Sequence, residues 1–137
     1  MVGDLTVDPA ALAGSRRVGL IALVGGVIVV AGAALPWLTV FGGLESYSGV
    51  LGLKGQFLAV GGVAASLLGV WCAVCPSRAL RYAIGIAGFA LALFCVYLGA
   101  EFLGAARTLD GMLAAAPGPG LFVSGGGALL IVGTLVL

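Results

Sequence analysis

The 137-residue chain contains no histidine. That removes the commonest general base near neutral pH, the histidine ligands of most catalytic zinc sites and the usual axial ligand of haem. Charge is also scarce. Six basic and five acidic residues make up 8% of the sequence, against about 25% in soluble domains. So few charged side chains cannot cover a water-facing surface, and lipid must solvate most of this one. The net charge of +1 gives no basic footprint for nucleic acid. Three cysteines without histidine make a poor zinc site. There is no Walker loop, dinucleotide fingerprint or Ser-His-Asp set. No catalytic residue, cofactor site or metal site is therefore assigned, and the expected role is non-enzymatic.

What is present is apolar: 62% of residues are hydrophobic and 25 are glycine. Four uncharged intervals, 18–35, 57–74, 82–100 and 120–137, each hold 18 or 19 residues. A hydrocarbon core about 30 Å thick needs about 20 apolar residues in a helix. The predicted fold is an all-α membrane protein. A cytoplasmic N-terminal segment (1–17) precedes a four-helix transmembrane domain (18–137) with spans at about 18–37, 57–75, 82–104 and 120–137. Asp8 followed by Pro9 reads as a helix start within the leading segment.

Arg16 and Arg17 precede the first span, and Arg78 and Arg81 separate the second and third. Both pairs therefore fall on one side. The other side holds Lys54 and Arg107 among Glu45, Glu101 and Asp110. The positive-inside rule places the arginine pairs, and with them both termini, in the cytoplasm of a multi-pass plasma-membrane protein. Arg16-Arg17, the apolar run and "AGA" at 31–33 also imitate a signal peptide, but the run continues to Trp37.

In the first outer connection, Pro36 stops the helix and Trp37 is placed for the interfacial aromatic belt. "LTVF", a Gly42-Gly43 turn and "SYSGVLGL" predict a small β-hairpin on the outer face. Two strands alone are marginally stable, so this hairpin needs support from helix ends or a partner. After the third span "GAARTLDGMLAAA" still reads as helix, projecting beyond the membrane or breaking near Gly104. "PGPG" at 117–120 then forces a turn.

Gly61, Ala65 and Gly69 recur every four residues and form a candidate helix-packing interface. Ala22 and Gly26, Ala83 and Ala87, and Ser124 and Ala128 repeat the theme in the other spans.

"WCAVCPSRALR", Trp71 to Arg81, carries the candidate chemistry. Cys72 and Cys75 share a helix face if the helix continues through both. A redox pair would use Arg78 to favour the thiolate, but the C-terminal end of a helix disfavours it. The structural reading is a helix end with two small apolar cysteines, a proline stop at Pro76 and interfacial arginines. Cys95 reads as a packing residue. The four helices and "CAVC" resemble the vitamin K epoxide reductase and DsbB class of membrane thiol oxidoreductases. That resemblance implies a redox role for Cys72 and Cys75, without the class's partner cysteines in the outer loop.

Glu101 lies near the outer surface, as an anchor paired with Arg107 or as an ion or partner contact. Arg78 and Arg81 are interface anchors that suit an anionic lipid head group. Finally, "LPWLTV" after the first span, the Gly-rich outer loop and "PGPGLF" before the fourth are similar to small four-helix membrane proteins of actinobacteria. The tryptophan-operon-associated membrane proteins are one such group. This resemblance implies a membrane setting without a mechanism.

Three functional readings follow. The first is an accessory or assembly subunit packing laterally in the bilayer against a larger membrane complex or itself. The second is a small oligomeric transporter or channel using Glu101. The third is a thiol oxidoreductase using Cys72 and Cys75.

Overall fold

The computed structural model describes residues 9–40, 45–75, 77–108 and 116–136, with the main chain alone at 9–12, 38–40, 45–47, 50, 105–108 and 116–117. Helices α1 (Pro9–Ala34), α2 (Leu53–Val74), α3 (Arg78–Thr108) and α4 (Pro119–Gly133) form the body. Strands β1 (Pro36–Val40), β2 (Glu45–Ser48) and β3 (Ala116–Pro117) gather at one end, and Gly49–Leu51 make a single 3-10 turn.

The helix ends follow from local chemistry. Pro9 opens α1, where a missing N–H costs nothing; Asp8, its expected cap, lies outside the described residues. The α1 helix runs through residue 17 without interruption, so residues 9–17 and the first span are one rod. Pro36 cannot continue it. The Ser77 hydroxyl accepts the Leu80 N–H at 3.2 Å, an N-cap for α3. Pro76, the expected stop of α2, lies outside the described residues. The α3 helix passes Gly104 unbroken to Thr108; residues 109–115 of the predicted helical stretch lie outside the described residues. Pro119 stands in the first turn of α4.

Residues 13–34 of α1, all of α2 and residues 78–104 of α3 are each long and apolar enough to cross a bilayer. The chain is a multi-pass helical membrane protein. The α4 helix is shorter than the predicted 120–137 span. Its 15 residues extend about 22 Å, less than the hydrocarbon thickness of about 30 Å. It ends in a tight turn, where the Thr134, Leu135 and Val136 N–H groups donate to the Ile131, Val132 and Gly133 carbonyls.

Consecutive helices run antiparallel. Gly19 meets Gly69 and Gly26 meets Gly62 between α1 and α2, while Gly25 meets Gly127 and Gly32 meets Gly120 between α1 and α4. Thus α1 carries two glycine stripes of seven-residue spacing, one for each neighbour. A Cβ at Gly69 would stand 2.7 Å from the Gly19 carbonyl oxygen and the Leu23 nitrogen. Only hydrogen at both positions lets the backbones approach so closely. The α3 helix packs on α4 and more lightly on α2. Gly85 and Gly88 make room there for Leu135 and Ile131. The predicted small-residue pair of α3 is placed differently: Ala83 is exposed and Ala87 half-buried.

Side-chain size is distributed as a lipid solvent requires. Ala22, Ala33, Ala65, Cys72, Ala128 and Ser124 are buried beside Leu58, Ile84, Leu98 and Ile131, whereas Phe57, Leu67, Ile86, Phe89, Leu93 and Phe122 point outward. Lipid is as apolar as leucine, so large side chains gain little by turning inward and small ones permit close packing.

The sheet has the order β2-β1-β3. Strand β1 pairs antiparallel with β2, Thr39 opposite Ser46 and Val40 opposite Glu45, with an irregularity between Pro36 and Leu38. On its other edge Leu38 faces Pro117 and Thr39 faces Ala116. The connection at 41–44, including the predicted Gly42-Gly43 turn, lies outside the described residues. The third strand is an addition: "PGPG" is partly strand and not turn alone. Support for β1 thus comes from this chain's own β3 as well as from β2.

Candidate functional sites at the two ends

At the sheet end the central residue is Trp37. Pro36 has no N–H, so the Gly32 carbonyl lacks its helical donor. The Trp37 indole N–H donates to that carbonyl at 3.0 Å. The ring is 5% exposed and meets Phe102 of α3 edge-on, centroids 6.3 Å apart at 87°. A Cβ at Gly49 would strike the indole, and one at Gly120 would stand 2.6 Å from its Cδ1. The belt expectation is therefore corrected: Trp37 is a buried plug joining α1, α3, α4 and the 3-10 turn. Trp71, at the opposite end of α2, is 65% exposed.

Beside the plug, Trp37, Gly49, Gly52, Lys54, Gly55 and Phe102 line an open, mostly apolar cleft of about 490 Å³. Lys54 stands at its rim and donates to both carboxylate oxygens of Glu101. The Lys54 Nζ also lies 6.0 Å from the centroid of the Tyr97 ring. The ion pair joins α2 to α3 across their lighter contact, with side chains 50% and 45% exposed. Glu101 is thus paired with Lys54 at the sheet end, where Arg107 is the partner expected from the sequence. The side chain of Arg107 lies outside the described residues.

In the middle, the Gly61–Ala65–Gly69 face is used within the chain. Ala65 is fully buried, Gly69 lies on α1, and a Cβ at Gly61 would stand 2.6 Å from Leu91 of α3. Ser66 and Ser124 each donate back to the carbonyl four residues earlier, at 3.0 and 2.9 Å. Their hydroxyls occupy the space a side chain at Gly26 or Gly32 would need. A serine within a glycine-rich apolar helix is the sequence signal for this device.

At the opposite end, Cys72 is fully buried, its thiol 3.9 Å from the Ser15 carbonyl of α1. Cys75 is exposed and has left helical geometry, with φ −120° and ψ 86°. The face expected to carry both thiols ends before the second one. Cys72, Cys75 and Cys95 are all free. Arg78 and Arg81 sit on the first turn of α3. With Tyr82 and the Thr134–Leu135 turn after α4 they line a cavity of about 240 Å³. Among the described residues no group of three or more Cys, Asp or Glu side chains converges where a metal ion could sit.

Comparison with protein-family models, curated proteins and solved structures finds no match.

Proposed function

We propose that the protein is a non-enzymatic integral-membrane accessory or assembly subunit that packs laterally against a larger membrane complex or a second copy of itself. The carrying observation is the outward face of α4. A Cβ at Gly126 or Gly133 would meet nothing within 4 Å, and both residues border a shallow groove with Ile21, Leu129 and Leu130. Gly126 lies inside α4, where glycine costs about 1 kcal/mol relative to alanine and gives lipid nothing in return. It does allow another helix to come close. The Gly61, Ala65 and Gly69 face is occupied internally, so the intermolecular contact is assigned to α4.

In this reading α4 also crosses the membrane, and both termini face the cytoplasm of the plasma membrane. Support comes from Arg16, Arg17, Arg78 and Arg81, which belong to helix ends on the same side of the body.

The test is mild-detergent purification of the wild type and of Gly126→Leu and Gly133→Leu, with the bound partners or oligomer weighed by mass spectrometry. Both variants should lose assembly at an unchanged unfolding midpoint. Gly69→Leu should instead lower the midpoint, by about 1–3 kcal/mol of overpacking or more. Full assembly retained in both α4 variants would sink the reading.

A further inference from the structure

We propose that the cavity between the start of α3 and the end of α4 binds the phosphate group of an anionic membrane lipid. The lining, the charge and the shape of this cavity carry the proposal. Arg78 and Arg81 both line the cavity, one helical turn apart, so two guanidinium groups serve one space. Guanidinium is the side chain best matched to phosphate, through paired N–H donors. Lys54–Glu101 is the only ion pair among the described residues, so no described carboxylate neutralises either arginine.

The arginines are also not needed as caps for the neighbouring helix. The Ile131, Val132 and Gly133 carbonyls at the end of α4 already accept the N–H groups of the terminal turn. The guanidinium donors therefore remain for an external acceptor. The walls fit an amphiphile: Tyr82 supplies a phenolic hydroxyl, while Leu135 supplies an apolar wall. Leu135 is seated against Gly85, where a Cβ would strike it, so that wall is held in place by α3. The volume of about 240 Å³ accommodates a phosphate with its glycerol, leaving the acyl chains to run along the outward apolar faces.

Free inorganic phosphate offers the same chemistry as the lipid phosphate, so the experiment separates them. The purified full chain in neutral detergent is titrated with phosphatidylglycerol or phosphatidylcholine, and retained lipid is read by native mass spectrometry. The wild type should keep phosphatidylglycerol in preference. R78Q/R81Q should lose that preference by about tenfold or more, with unchanged helicity by circular dichroism. R16Q/R17Q removes the same charge from exposed residues at the same end but outside the cavity, and should retain most of the preference. Inorganic phosphate at millimolar concentration should not displace the lipid. Three results would overturn the proposal: equal retention of the two lipids by the wild type, equal losses in both double variants, or binding of phosphate in place of lipid. A single-site pair, R78K and R81K, keeps the charge if the double variant fails to fold. Its lipid preference should fall between wild type and neutral variant through loss of the paired donors, and a preference equal to wild type would also count against the site.

Discussion

Trp37 shows how one residue can solve a problem its neighbour creates. Pro36 ends α1 and leaves the Gly32 carbonyl without a main-chain donor; the next residue's indole reaches back to supply one. Trp37→Phe keeps the ring contact with Phe102 but leaves that carbonyl unpaired in a buried place. The expected loss is about 1–3 kcal/mol, measured as a lower unfolding midpoint in detergent, with no loss of helicity. An unchanged midpoint would mean the bond contributes nothing. The cysteines make a second residue-scale prediction. Cys75 is exposed while Cys72 and Cys95 are buried. A maleimide reagent applied to the folded protein should therefore modify one thiol quickly and the other two only on denaturation. Equal rates at Cys72 and Cys75 would restore the shared face that a redox pair needs.

Between elements, the unequal helix contacts give each interaction its weight. The α1 helix holds α2 and α4 by glycine-on-glycine contact along its length, whereas α2 and α3 meet more lightly. The Lys54–Glu101 pair spans that lighter seam near the sheet end. Both side chains are about half exposed, so solvent screens the attraction and its effect on stability is small. Its sign remains testable by charge reversal. Lys54→Glu should weaken the seam, and adding Glu101→Lys should recover it. The recovery should shrink in high salt. A double variant no better than the single one would remove the pair from the account of this seam. A transport role for Glu101 has to contend with the same geometry, since the carboxylate is already held by a cation at the molecular surface.

For the molecule as a whole, the main consequence is topological. Antiparallel helices bring the start of α1, the end of α2, the start of α3 and the end of α4 to one end, and the three strands to the other. If the short α4 crosses the bilayer, cysteines introduced at Arg17 and Val136 should label from the same side in right-side-out vesicles. A cysteine introduced at Leu51, at the sheet end, should label from the opposite side. Labelling of the Val136 variant together with the Leu51 variant would show that α4 does not cross.

The sequence by itself determined the solvent and the approximate placement of the elements. Scarcity of charge made lipid the medium, the uncharged intervals marked four helices, prolines marked helix ends, and the arginines marked one side. These are local properties, legible because hydropathy and helix termination depend on near neighbours. The tertiary structure alone decided which faces turn inward, because apolar residues run all round these helices and no polar face points away from the core. It decided that Gly61, Ala65 and Gly69 pack within the chain while Gly126 and Gly133 stay open. It placed Lys54 against Glu101, 47 positions away in sequence, and it brought Ala116 and Pro117 to β1 as a third strand. Each of these depends on how distant segments meet, and for α1 against α2 and α4 that approach is set by the volume glycine leaves free.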